Sequence, residues 1–396
     1  MNTSALRRMA LVSGLSLLLA ACGGGGDGGS SAAAADTGTL RFALTDAPAC
    51  GYDKVNVTIE KVRVHQSASA SESEAGWSEI VLSPARRVDL LGLTNGVLME
   101  LGQTPLPAGK YTQLRLVLAE NGGSAPLANS VVPSGGAEVA LSTPSAQQSG
   151  LKLKTNIDVA SNQMADFVID FDACKSVVSA GNSGKYLLKP VISVIPRFIS
   201  GVTGSVSTSI ANGGTTLSLQ QAGVTVRSTV PDSSGKFLLQ PVAPGTYSLV
   251  LTAPARTTLV VNGVTVATDT VSAINLSGVA LNPPVSPTGT VSGTVTMGTT
   301  PIDATVRALQ ALSGGPVIEV AARAVDSTGG AFSLLLPTAA PLVATYPTGA
   351  ATLTFTPDAS VAGRYSVQAT SVTGVKTVGP LTLTSGGTST ATFTLP

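Results

Sequence analysis

The sequence predicts an all-β protein, a series of antiparallel β-sandwich domains that follow a signal peptide and a Gly-rich tether. Three observations carry that expectation. Hydrophobic residues make up 43% of the 396 residues and charged residues only 11%, which excludes a disordered polymer of low hydrophobicity. Val, Thr, Ser and Gly are plentiful while the helix formers Glu and Lys are scarce, a balance that favours strands and turns. From Gly38 onward apolar and polar residues alternate in short runs bounded by turn residues, as in strands with one dry and one wet face. At roughly 100–200 residues per domain, the length implies two to four domains.

Charge and histidine content narrow the function classes. With 23 basic and 22 acidic residues the chain lacks the positive field that holds nucleic acid. Its single histidine, His65, leaves multi-histidine metal sites and most histidine relays nothing to work with.

The first element, residues 1–21, reads as a secretory signal. Arg7 and Arg8 precede an apolar run from Met9 to Ala21, a positive segment followed by a short hydrophobic one. That run is shorter than the ~20 residues needed to span a bilayer. It ends in Leu19-Ala20-Ala21-Cys22, which resembles the lipobox of bacterial lipoproteins. The resemblance implies cleavage before Cys22 and a diacylglycerol, with further acylation such as palmitate, on that cysteine. Gly23, rather than an aspartate, follows Cys22; by similarity to lipoprotein sorting rules this implies the outer membrane, with the periplasmic or surface face left open. The lipid then makes the membrane contact.

The second element, 22–37, is Gly- and Ala-rich and reads as a flexible tether. It contains a formal GxGxxG at Gly24, Gly26 and Gly29, but that motif has meaning only between a strand and a helix.

The third element, 38–198, holds successive amphipathic strands. Val55, Val57 and Ile59 alternate with polar residues, then the phase slips to Val62 and Val64, which predicts a β-bulge near Glu60 and Lys61. Leu114, Leu116 and Leu118 form another dry face, as do Leu151, Leu153, Ile157 and Val159, and Phe167, Ile169 and Phe171. A further strand is expected at 138–141, a short helix within 90–101, and a proline-flanked edge strand within 186–196. Leu44-Thr45-Asp46-Ala47-Pro48, Val88-Asp89-Leu90-Leu91, Pro107-Ala108-Gly109-Lys110-Tyr111, Asp170-Phe171-Asp172 and Leu188-Lys189-Pro190-Val191 occur here in that order. In these motifs the segment resembles a bacterial lipoprotein domain family of unknown function, the DUF4382 family, over about 38–196. The resemblance implies a secreted β-rich domain with no activity attached.

The remaining elements, 199–284 and 288–396, repeat one another. Gly201 to Val206 is echoed by Gly289 to Val295, and Asp232-Ser233-Ser234-Gly235-Lys236-Phe237 by Asp326-Ser327-Thr328-Gly329-Gly330-Ala331-Phe332. Val224-Thr225-Val226 and Ala304-Thr305-Val306 read as matching second strands, each followed by a Gly-bearing hairpin. With Pro244-Gly245-Thr246-Tyr247, the first copy resembles the carboxypeptidase regulatory-like, transthyretin-type sandwich. The second copy is degenerate: Pro337-Thr338-Ala339-Ala340-Pro341 stands where that turn belongs, and Gly363-Arg364-Tyr365 reads as its displaced equivalent. Residues 282–287 read as a stiff Pro-rich spacer.

Candidate chemistry is sparse. Ser233 to Lys236 matches SxxK, but in a hairpin turn rather than at the start of a buried helix. No GxSxG elbow, P-loop or HExxH occurs. His65 reads as an exposed strand end, and Trp77 as either packing or a sugar-stacking platform. Cys50 and Cys174 remain once Cys22 is lipidated, an even count in an oxidising compartment, and predict a disulfide. That bridge would bring Asp46, Asp170 and Asp172 to one end of the sandwich, an oxygen-rich set suited to Ca²⁺. An Asx-turn at Asp46 and ion pairs of Asp170 and Asp172 with Lys152 and Lys154 account for the same carboxylates without metal, and are favoured. The sequence thus points to a lipid-anchored binding or scaffolding protein of the bacterial envelope with no catalytic activity or cofactor. The alternatives are a carbohydrate-binding or envelope-assembly lipoprotein and, third, a Ser- or Asp-dependent hydrolase; the partner is a protein or a glycan.

Overall fold

A computed structural model describes residues 36–47, 51–144, 150–212, 214–275, 279–298, 300–347 and 352–396. Strands dominate the regular structure of the described residues, with only short helical turns besides. In the first segment β1 (Thr37–Ala47), β4 (Met99–Pro107), β9 (Met164–Asp172) and β12 (Ile192–Pro196) form one sheet in the order β12-β9-β1-β4. The facing sheet is built on β2 (Tyr52–His65), with β3 (Ser78–Asp89) on one side and β5 (Gly109–Leu118) then β8 (Leu151–Val159) on the other. Two short hairpins, β6 (Ser130–Pro133) with β7 (Val139–Ser142) and β10 (Val177–Ser179) with β11 (Tyr186–Leu188), extend it. Leu40, Phe42 and Leu44 meet Val57, Ile59, Leu114 and Leu116 between the sheets, all fully buried.

The expected phase slip is present: β2 shifts register against both neighbours between Ile59 and Lys61. The helix expected within 90–101 is instead a single 3₁₀ turn, Leu90–Leu93, capped by the Asp89 carboxylate, after which Met99 already begins β4. The run 186–196 divides into two strands in different sheets, and only β12 is an edge.

The second segment has β13 (Gly201–Ser205), β14 (Thr216–Gln221), β15 (Val224–Thr229), β16 (Lys236–Leu239), β17 (Gly245–Thr252), β18 (Leu259–Val266) and β19 (Val271–Ala273). They make a sheet β16-β13-β19 facing β15-β14-β17-β18. The third has β20 (Thr288–Thr296), β21 (Thr305–Ala311), β22 (Val317–Ala324) and β23 (Ala331–Pro337). An excursion bearing β24 (Leu342–Thr345) and β25 (Thr356–Pro357) follows, then β26 (Arg364–Ser371), β27 (Gly374–Thr382) and β28 (Thr388–Thr394). Its sheets, β23-β20-β28 and β22-β21-β26-β27, reproduce the second segment strand for strand. Val224–Thr229 is therefore a third strand and Thr305–Ala311 a second one, so the short Val-Thr-Val and Ala-Thr-Val match of the sequence pairs strands that are not equivalent.

The same scheme underlies the first sandwich. β4-β1-β9 repeats β16-β13-β19, and β3-β2-β5-β8 repeats β15-β14-β17-β18. In each case the first strand is antiparallel to one neighbour and parallel to the seventh and last strand of the shared scheme, β9, β19 or β28. A tyrosine marks the equivalent strand in all three. Tyr111 donates to the Pro107 carbonyl at 2.8 Å, Tyr247 to Ala243 at 2.9 Å and Tyr365 to Pro337 at 2.6 Å. All three phenols are buried, and burial raises their pKa.

In the first two sandwiches tyrosine and acceptor lie 4 residues apart, in the third 28. The excursion between them explains the missing turn. β24 adds in parallel to the edge strand β18, pairing Leu259–Asn262 with Leu342–Thr345, so the third segment donates strands to the sheet of the second. Tyr346, Leu353 and Phe355 pack on the second core, while Val250 and Val260 of the second pack into the third. Gly363 recovers the tyrosine corner at φ 63°, where a Cβ would meet the Leu383 carbonyl oxygen at 2.4 Å. The three sandwiches, serial in sequence, are one compact unit from Asp36 to Pro396. Residues 282–287 do not stand free as a spacer, since Thr257 and Ser286 exchange backbone hydrogen bonds with Pro284 and Ala255.

Candidate functional site

Cys22 and Cys50 lie outside the described residues. Cys174 sits in α1 (Ala173–Ser176), the short turn after β9. The three candidate carboxylates divide. β1 and β9 pair in parallel with Thr45 beside Asp170, Asp46 beside Phe171 and Ala47 beside Asp172. Side chains alternate along a strand, so Asp46 points away from the face that carries Asp170 and Asp172. Its carboxylate accepts from the Ala173 amide at 3.1 Å. Among the described residues no group of three His, Cys, Asp or Glu could hold a metal ion.

Asp170 and Asp172 are ion-paired, though not with Lys152 and Lys154, which lie on β8 in the opposite sheet. Asp172 caps α1, accepting from the Lys175 amide at 3.0 Å, and pairs with the Lys175 ammonium at 2.9 Å. Asp170 pairs with Arg227 of the second sandwich. Arg227 comes from β15, is buried, and also donates to the Thr45 hydroxyl at 2.8 Å. Burial pushes the Asp170 carboxyl up from its ordinary value, and the Arg227 charge works against that rise.

These contacts belong to a polar junction where the three sandwiches meet. Lys175 of the first also faces Glu319 of the third at 3.8 Å. Burial opposes its charge, yet Asp172 and Glu319 outweigh burial and hold the ammonium above the usual lysine range. Glu319 on β22 pairs with Arg307 at 2.5 Å and accepts from Thr225 of the second sandwich at 3.1 Å. Its backbone exchanges two hydrogen bonds with the Gln220 side chain, at 2.8 and 2.7 Å. Between first and third, Asp326 accepts from the Gly181 amide at 2.7 Å, and Lys189 pairs with Asp303 at 3.7 Å. Burial would raise the Asp326 carboxyl, but the Gly329, Gly181 and Thr328 amides hold it below its ordinary value.

Beside this junction lies an open cleft of about 370 Å³. Its floor is the outward face of β14, with Thr216, Ser218 and Gln220 two residues apart, and Thr258 and Arg256 close one side. Lys175 and Glu319 also line it, together with apolar Val320, Leu335 and Pro337, and among the described residues no aromatic side chain does.

The remaining motifs are structural. Asp232 accepts from the amides of Ser234 and Lys236 and from the Ser234 hydroxyl, so the SxxK match is a hairpin turn. Gly235 there has φ 84°, and a Cβ would meet the Val206 carbonyl oxygen at 2.1 Å. His65, expected to be exposed, is buried: it accepts from the Ser67 amide, contacts the Ala75 carbonyl at 3.0 Å and packs tilted against the Trp77 ring, centroids 5.0 Å apart. The Trp77 ring carries the Arg63 and Arg115 guanidinium groups at 4.6 and 4.8 Å and donates to Ser71 at 2.9 Å. It latches the 67–76 loop onto the sheet and is not an open sugar platform. Sequence reasoning missed Arg227, Lys175, Gln220 and Glu319. Their one signal was polarity within strands for Arg227, Gln220 and Glu319 and just after a strand for Lys175, visible as single residues but not as partners.

Among the described residues no helix is long and apolar enough to cross a membrane. No curated protein matches the chain in sequence. Among solved structures it is similar to the Bacillus anthracis TIE protein, at 12% identity and TM-score 0.17, covering 91% of this chain and 50% of that one. A leucine-rich repeat protein from Bacteroides thetaiotaomicron matches at 11% identity and TM-score 0.15, over 63% of this chain and 26% of that one. The Corynebacterium diphtheriae major pilin SpaA matches at 11% identity and TM-score 0.19, over 90% and 99%. The chain thus spans about half the length of the first and about a quarter of the second. Residues 37–190, the body of the first sandwich, match the family model of a domain of unknown function, DUF4382.

Proposed function

We propose that this chain is a lipid-anchored scaffolding or binding protein of the bacterial envelope that performs no catalysis. One observation carries the reading: three sandwiches of one topology are locked by buried ion pairs and a donated hairpin into a single unit. Such a body presents fixed surfaces at the end of a tether, which suits scaffolding or binding. The tether and Cys22 supply the anchor, with the outer membrane as its address. Cys22→Ala is expected to abolish incorporation of a fatty-acid analogue and leave the unprocessed precursor. Labelling that persists in this variant would refute the anchor.

The same reading includes a Cys50–Cys174 disulfide. The parallel pairing of Ala47 with Asp172 supports it, since each cysteine follows its strand end by two or three residues. In the chain-entropy model a loop of this order stabilises by about 4–5 kcal/mol. Peptide mapping of the exported protein without reductant is expected to find the two cysteines joined; alkylation of both in the native protein excludes the bridge. A carbohydrate-binding role is the second reading, favoured by the hydroxyl-rich cleft rather than by Trp77.

A further inference from the structure

The geometry points to the cleft at the sandwich junction as a binding site for a small, singly negative sugar of the uronic-acid type. This deepens the second reading above and is independent of the lipid anchor. Four observations converge on it.

First, the site is built. Ser218 and Gln220 are 7% and 2% exposed, and Thr258 is 2% exposed, so the third sandwich has enclosed a sheet face that would otherwise be wet. Second, a donor and acceptor there is unspent. The Thr258 hydroxyl is buried without a hydrogen-bond partner, an arrangement that costs about 1–3 kcal/mol unless a ligand or water satisfies it. Ser218 accepts from the Gln220 amide at 2.9 Å, which leaves its own proton to donate into the cleft.

Third, the charges leave a remainder of one. Lys175 is held by Asp172 and Glu319, and Glu319 by Arg307. Arg256 has no carboxylate partner among the described residues and uses one nitrogen on the Pro283 carbonyl at 3.1 Å. A single carboxylate therefore finds a guanidinium fork. A phosphate ester, at nearly two charges, would bring its excess toward Asp172 and Glu319. Fourth, the hydroxyls of Thr216, Ser218, Thr252 and Thr288 line the cleft beside apolar Pro254 and Leu335. Thr216 and Ser218 repeat along the strand face at roughly 7 Å, a spacing suited to the hydroxyls around a sugar ring. The volume of about 370 Å³ lies at the small end of ligand pockets, ~300–1,000 Å³, and fits a short saccharide.

Titration calorimetry of the full chain with D-glucuronate, D-glucose, acetate and glucose 6-phosphate tests this. Glucuronate is expected to bind at least about tenfold more tightly than glucose or glucose 6-phosphate, the ratio that about 1.4 kcal/mol sets, and acetate to give no heat. Arg256→Gln should reduce glucuronate to the level of glucose without moving the melting midpoint. Thr258→Val should weaken both sugars. No heat with glucuronate at millimolar concentration, equal binding of glucose 6-phosphate, or unchanged glucuronate affinity in Arg256→Gln would each overturn the assignment. None of these outcomes bears on the Cys22 labelling result.

Discussion

Arg227→Met is expected to destabilise the protein by about 3–5 kcal/mol, the usual effect of removing one partner from a buried ion pair. Methionine keeps much of the volume of the buried arginine side chain, so packing changes little while Asp170, largely shielded from solvent, is left charged and without the Arg227 counter-ion. The Thr45 hydroxyl also loses the guanidinium that donates to it. The loss should depend on pH in a defined sense. Burial already raises the Asp170 carboxyl above its ordinary value in the intact protein, and without Arg227 it rises further. Above that folded-state pKa the variant carries the full penalty; as pH falls through it, Asp170 takes up a proton and the penalty fades. Chemical denaturation should therefore show a larger deficit at about pH 8 than at about pH 5. Adding Asp170→Asn to the variant should restore much of the stability, because no unpaired charge remains. A deficit below about 1 kcal/mol at neutral pH, within the range of an exposed pair, would mean that the junction is wetter than described.

Deleting residues 339–362 is the second large effect. The deletion joins Pro337-Thr338 to Gly363-Arg364-Tyr365, which restores the spacing of Pro107-Ala108-Gly109-Lys110-Tyr111. The third sandwich should retain its tyrosine corner. It loses the Gln310 bond to the Val361 carbonyl, the Arg364 bond to the Ser360 carbonyl, the hold of Asp358 on Ser313, and the packing of Val343 and Val361 on its core. The second sandwich should suffer more. It loses β24 from its sheet edge and the cover of Tyr346, Leu353 and Phe355. At about 1.5 kcal/mol for each half-buried large side chain, the loss is roughly 4–5 kcal/mol. Calorimetry is expected to resolve an early transition for the second sandwich, where the intact unit melts together. An unchanged melting profile would refute the bracing role of the excursion, and loss of the third sandwich first would refute the corner equivalence.

The residues themselves explain which features could be read in advance. The bulge at Glu60 was legible because a one-residue slip in a period-2 pattern moves every apolar side chain to the other face. Gly235 and Gly330 were legible because the turns they close admit no Cβ. The kinship of the first sandwich with the other two was not drawn from the sequence, although Pro107-Ala108-Gly109-Lys110-Tyr111 and Ala243-Pro244-Gly245-Thr246-Tyr247 place tyrosine and glycine at the same offsets. Inserted hairpins and a 24-residue excursion hide the period. Asp170 and Asp172 were singled out correctly as a strand pair but given the wrong partners, because a carboxylate on a strand carries no record of which neighbour it will meet.

The sequence by itself determined the class of the fold, the amphipathic strands and the turn chemistry. These depend on side-chain alternation and local backbone sterics over a few residues. Only the tertiary structure decided that the sandwiches lie together, that β24 crosses to the second sheet, and that Arg227 meets Asp170 across 57 positions of chain. The outward faces of the sheets are polar enough to be wet when alone and paired enough to be buried when joined. Which of the two occurs depends on the match between hydrogen-bonding groups on separate sandwiches, a property of surfaces and not of any local pattern.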